Sequence, residues 1–107
     1  EVAKFIEKHK NVSSLSRITF IEVLSFEMND EEFIKVKYFL ESFYIFDITE
    51  EISLQCVKNR KNKRIKIPDN IIAATAQVNN LVLVTRNLDD FISLDLQVLN
   101  IFKEELY

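Results

Sequence analysis

The segment Ile67-Pro68-Asp69-Asn70-Ile71-Ile72-Ala73-Ala74-Thr75-Ala76 is followed, after Gln77 to Asn80, by Leu81-Val82-Leu83-Val84-Thr85-Arg86-Asn87-Leu88-Asp89-Asp90-Phe91. Proline is tolerated in the first turn of a helix, and an aspartate there interacts with unpaired amides and the positive end of the helix dipole, so a helix is predicted from Pro68 to about Val78. Its alanines, Ala73, Ala74 and Ala76, permit close approach to a sheet. Leu81 to Thr85 has the continuous apolar character of a strand covered on both faces. The polar loop from Thr85 to Asp90 then lies beyond the carboxyl end of that strand, where open α/β sheets gather functional groups. This stretch therefore brings two acids, Asp69 and Asp90, to neighbouring element ends, and converging carboxylates imply a bound cation.

The rest of the chain continues the same alternation. Val2, Phe5 and Ile6 fall on one side among Glu7, Lys8 and Lys10, a helical spacing already under way at the first residue. Val12 to Ile18 reads as a short strand, and Thr19-Phe20-Ile21-Glu22 matches a capping box opening a helix through about Glu27. From Asp30 to Ser42, Phe33, Val36, Leu40 and Phe43 recur at helical spacing, with Phe39 widening a stripe that faces a core or a partner. Tyr44 to Ile48 reads as a strand. Thr49 caps the next helix, whose first turn carries Glu50 and Glu51. Leu96 to Ile101 supplies a last strand. The chain contains no glycine, so positive backbone torsions fall to Asn or Asp, with turns expected at Asn29-Asp30, Asn79-Asn80 and Asn87. Strands separated by helices define an α/β domain with a parallel sheet and right-handed connections.

With 107 residues, 48% of them apolar, the chain is sized for a single domain over residues 1–107. No run approaches the roughly 18 to 20 apolar residues of a membrane helix. One cysteine, Cys56, cannot form an internal disulfide, which fits a reducing, cytoplasmic setting. The net charge of −3 gives no global pull toward nucleic acid, so a polyanion must meet a local patch. Lys58-Asn59-Arg60-Lys61-Asn62-Lys63-Arg64-Ile65-Lys66 is such a patch, beside Asp69 in sequence. The same cations are also explained as a solvated helix end that complements the dipole.

Glu22, Asp69 and Asp90 each have an ordinary structural reading: a capping-box acid, a helix-opening acid and a loop or capping acid. Taken together they have a chemical one. Two unit charges about 4 Å apart repel by roughly 4 kcal/mol at an effective dielectric of 20, so clustered carboxylates need a cation or take up protons. Oxygen ligands suit Mg²⁺ or Mn²⁺, and with His9 the only histidine and Cys56 the only cysteine, nothing favours zinc.

The chain resembles the PIN-domain nucleases, particularly toxins of the VapC kind. Ser16-Arg17-Ile18-Thr19-Phe20-Ile21-Glu22-Val23-Leu24 is similar to the family's first acidic helix. Asp69 to Ala76 matches its second motif, an Asp before small residues, and Leu83 to Phe91 matches its third. The resemblance implies a three-layer αβα domain with a parallel sheet. It also implies a metal-dependent endoribonuclease of a toxin-antitoxin pair, hydrolysing RNA phosphodiesters with Mg²⁺ or Mn²⁺ and covered by an antitoxin. By that resemblance Glu22, Asp69 and Asp90 are the catalytic, metal-holding acids, and Thr19, Thr85 and Asn87 the supporting polar groups; either Asn87 or Asp90 completes the polar ring.

In one respect the chain departs from the family pattern, because a central strand ending in Asp is expected before the opening helix and is not seen. A parallel sheet without its central strand leaves backbone groups unpaired at about 1 to 3 kcal/mol each, against a margin of about 5 to 15 kcal/mol for a small domain. Association is therefore expected, as a homodimer, a higher oligomer or a strand acceptor. The alternative function is a truncated, non-catalytic PIN-like module for dimerisation or partner binding. A phosphoacceptor receiver ranks lower, since it needs an acid directly after a central strand and a Lys beyond a later one, whereas Leu81 to Thr85 leads into Arg86.

Overall fold

Ser14, Leu15 and Ser16 extend as β1 (Ser14–Ser16) in parallel register with β2 (Tyr44–Phe46), placing Leu15 opposite Ile45. The structure, a computed structural model, describes residues 13–85 and 87–100 and the backbone of Glu105–Leu106. The helix expected at residues 1 to 9, with His9, and the side chain of Arg86 lie outside the described residues. After β1 come α1 (Arg17–Leu24), α2 (Asp30–Glu41), β2, α3 (Glu50–Asn62) and α4 (Ile67–Val78). Then follow β3 (Leu83–Val84), a 3-10 turn over Leu88–Asp90, β4 (Val98–Asn100) and β5 (Glu105–Leu106). β3 pairs with β4 in parallel, and β5, which the sequence did not announce, adds antiparallel to β4.

Local chemistry explains most boundaries. Asn29 and Glu32 form a reciprocal capping box at the start of α2, and Thr49 Oγ1 accepts from the Ile52 amide at the start of α3. Acids occupy the first turns of α2 and α3, and Arg60 and Lys61 the last turn of α3, as the dipole favours. Asn80 takes the one positive φ among the described residues, 54°, in the turn that leads to β3. An Asn fills a position where many chains use glycine.

Two expectations are corrected. The first helix does not open at Thr19: Ser16 is its cap, its Oγ accepting from the Ile18 amide, so Arg17 already lies inside the helix and Thr19 and Glu22 sit within it. Serine is as good a cap as threonine and comes earlier, directly at the end of β1. Glu22 is thereby relieved of any capping role. The second correction concerns Leu81 to Thr85, which is not covered on both faces among the described residues, since Val82 and Val84 are 44% and 43% exposed.

The core has two parts. Ile65, Ala73, Phe91, Leu94 and Val98 pack together under β3 and β4, with Leu83, Leu88 and Leu96 against them. Leu40 and Phe43 anchor the other side, so the α2 stripe turns its later half inward. Burying a side chain such as Ile52 or Val98, at 2% and 1% exposed, contributes about 1.5 to 3 kcal/mol. Among the described residues no strand joins β1 to β3, and the sheet stands as two pieces.

Candidate active site

A cavity of about 1200 Å³ opens between the two pieces of sheet. Its walls are mostly apolar, but Thr19, Glu22, Asp69, Thr85 and Asn87 all line it. Three different elements supply them. Thr19 and Glu22 are three residues apart on α1 and so share a face, which Val23 extends. The orientation of that face follows from the Ser16 cap, which fixes where α1 leaves β1.

Asp69 is in the first turn of α4, next to a residue that holds the helix in place. Asn70 is wholly buried; it accepts from Asn59 Nδ2 at 2.9 Å and donates from its own Nδ2 to the Cys56 carbonyl at 2.9 Å. Asn59 also donates to Gln77 Oε1 at 2.8 Å and accepts from Gln55 Nε2 at 3.0 Å. This amide ladder locks α4 against α3 and thereby sets the position of Asp69. Sequence reasoning did not find it, though Gln55 and Asn59 one turn apart on α3, facing Asn70 and Gln77 on α4, were its signal.

Thr85 follows β3 directly, and its Oγ1 accepts from the Asn87 amide at 3.0 Å, folding the loop back toward the cavity. Asp90 is exposed and is not among the lining residues. The backbone carbonyls of Asp89 and Asp90 accept from Lys63 Nζ at 2.9 and 2.8 Å. Lys63 thus ties the basic run to the loop after β3, a contact that charge alone did not reveal. Arg60, Lys61, Lys63 and Arg64 border a shallow groove of about 340 Å³.

Glu22 and Asp69 share the cavity, whereas Asp90 stands apart. Among the described residues no three acidic, histidine or cysteine side chains gather closely enough to hold a metal ion. Two carboxylates would nevertheless balance the charge of one divalent cation, and Thr19, Thr85 and Asn87 add hydroxyl and amide oxygens to the lining of the same cavity. That chemistry fits a hard cation. No helix among the described residues is long and apolar enough to cross a membrane.

Comparison with known proteins supplies three findings. A family model described as PIN domain matches residues 1–96. A solved toxin-antitoxin complex from Klebsiella pneumoniae is similar in structure, with a TM-score of 0.73 and 33% sequence identity, over 81% of this chain and 72% of that one. None of the curated proteins matches.

Proposed function

The chain belongs to the PIN-domain family, and from that membership we propose that it is a metal-dependent endoribonuclease, the toxin of a VapC-type toxin-antitoxin pair. The observation that carries the reading is that Glu22 and Asp69, from separate helices, line one cavity together with Thr19, Thr85 and Asn87. PIN nucleases generally use divalent metal ions, and Mg²⁺ or Mn²⁺ suits the donors present. When bound, such an ion would lower the pKa of a water and stabilise charge on a phosphodiester.

The chain's own residues prepare the rest. Glu22 and Asp69 would hold the ion, while Thr19, Thr85 and Asn87 would supply polar groups around it. Asp90 acts from the loop that Lys63 secures, through a carboxylate outside the cavity wall. The groove of Arg60, Lys61, Lys63 and Arg64 adjoins that loop through Lys63 and offers local positive charge to an RNA backbone, which the net charge does not. An antitoxin partner is supported by the toxin-antitoxin complex to which the chain is similar.

The test is cleavage of a mixed RNA substrate with Mn²⁺ and with chelator, alongside calorimetric titration of Mn²⁺. Glu22→Gln and Asp69→Asn are each expected to lower cleavage by about 10²-fold or more and to weaken Mn²⁺ binding. RNA cut equally well after Asp69→Asn would overturn the assignment. A second reading, a non-catalytic partner-binding module, is favoured by the lack of a three-acid group among the described residues. It predicts neither cleavage nor Mn²⁺ binding.

A further inference from the structure

Six cations stand along the end of α3 and the loop after it: Lys58, Arg60, Lys61, Lys63, Arg64 and Lys66. The ion pairs among the described residues are Arg17 with Asp47, Lys35 with Glu31 and Lys37 with Glu41, so none of the six is cancelled by a carboxylate there. Five of them are exposed, and Lys63 alone is half-buried. Its position is fixed at both ends. The Lys63 amide donates to the Asn59 carbonyl at 3.0 Å, closing the last turn of α3, and its Nζ donates to the Asp89 and Asp90 carbonyls at 2.9 and 2.8 Å.

An ammonium has three N–H donors and no acceptor, so those two bonds leave one donor, and because carbonyls are neutral they leave the whole positive charge as well. Lys63 also borders the shallow groove with Arg60, Lys61 and Arg64. One side chain thus belongs both to the groove and to the turn after β3. That turn is rooted in the core at its far end by Phe91, 3% exposed, and held at its near end by the bond from the Asn87 amide to Thr85 Oγ1. Between these points the amides of Asp90, Phe91 and Ile92 bond within the turn, to the carbonyls of Asn87 and Leu88. Among the described residues, the only hydrogen bonds that join residues 87–90 to a helix are those of Lys63.

We propose that Lys63 couples RNA in the groove to the turn that carries Asn87 and Asp90. A phosphate of the RNA backbone takes the third donor of Lys63 while the two carbonyls keep theirs, so a filled groove tightens the turn. The bond to phosphate is charge-assisted and stronger than one to water. The turn is itself acidic, through Asp89 and Asp90, and a polyanion would repel it; an ammonium bonded to its backbone offsets that repulsion. Lys63 is a positioning residue in this scheme, acting through Asn87, which lines the cavity. The coupling is reciprocal, so RNA gains from an ordered turn what the turn gains from RNA. It rests on the reading of RNA as the substrate, and it needs no metal.

The experiment measures hydrogen exchange of the full chain with and without a saturating short single-stranded RNA, in chelator so that the RNA stays intact, and RNA affinity across a salt series. Exchange at the Asp90, Phe91 and Ile92 amides is expected to slow by roughly fivefold or more when RNA binds. Lys61→Met and Lys63→Met should each lower the salt slope of binding by about 0.7, the share of one phosphate contact on a single strand. Only Lys63→Met should abolish the slowing. Exchange that is unchanged or faster with RNA overturns the proposal, the faster case meaning that phosphate strips Lys63 from the carbonyls. Slowing that survives in Lys63→Met, or is lost equally in Lys61→Met, overturns it too, as does a chain that binds no RNA. The nuclease reading fails by a different result, absent cleavage or absent Mn²⁺ binding, because the coupling is read without metal.

Discussion

Asn59 and Asn70 join α3 to α4 by a buried side-chain hydrogen bond of 2.9 Å, one residue from the acid that faces the cavity. Asn70→Ala removes an acceptor from Asn59 and a donor from the Cys56 carbonyl, in a place water does not reach. A loss of about 1 to 3 kcal/mol in unfolding free energy is expected, the desolvation cost of polar groups left unpaired. Denaturant titration would measure it, and an unchanged midpoint would show that the ladder carries no stability.

Asp90 and Asp69 are predicted to differ in what they do. Asp69 lines the cavity, whereas Asp90 is fixed through its backbone by Lys63. Asp90→Asn should therefore reduce RNA cleavage less than Asp69→Asn, and Lys63→Met should act by loosening the loop. Side-by-side rates, with exchange at the Asp90 and Phe91 amides as the readout for Lys63→Met, decide the matter. Equal losses for the two acids would bring Asp90 into the site during turnover.

Much of this arrangement could be read from local chemistry. Thr49 before Glu50 and Glu51, Asn29 before Asp30, and Pro68 with Asp69 mark helix starts with signals that act within one turn, and the helices begin within a residue of them. Where two signals competed, at Ser16 and Thr19, the nearer strand end decided, and the sequence offers no scale for that choice. Glu22 and Asp69 were legible as candidate acids only through the family pattern, because their lining one cavity depends on packing between α1 and α4. The amide ladder and the Lys63 contact are tertiary in the same sense. The exposure of Val82 and Val84 was hidden for a different reason: an apolar run such as Leu81 to Val84 does not say how much of each face the described neighbours cover.

Arg17 links the start of α1 to the loop after β2 by an ion pair with Asp47 at 2.5 Å, and its guanidinium lies 4.9 Å from the centre of the Phe20 ring. The hydrogen bond from Arg17 holds the Asp47 carboxyl below the usual carboxylate range. A carboxylate whose folded pKa is depressed contributes stability above its unfolded pKa, and that contribution disappears as pH falls through the folded value. The stability difference between the native chain and Asp47→Asn should therefore be present at neutral pH, shrink through the acid carboxylate range and vanish below it. Because Asp47 is mostly exposed, added salt should reduce the difference as well. A difference independent of both pH and salt would assign the effect of Asp47 to something other than the pair.

Phe39 and Phe43 test which part of the aromatic stripe on α2 is core. Their rings meet edge to face at 5.2 Å, yet Phe43 is 8% exposed and Phe39 43%. Phe43→Ala removes a buried ring from the floor of the cavity and should cost about 3 to 5 kcal/mol. Phe39→Ala gives up the edge-to-face contact and only part of its burial, so about 1 to 2 kcal/mol is expected. Thermal unfolding of both variants measures the two costs, and an equal loss for Phe39→Ala and Phe43→Ala would place both rings equally in the core.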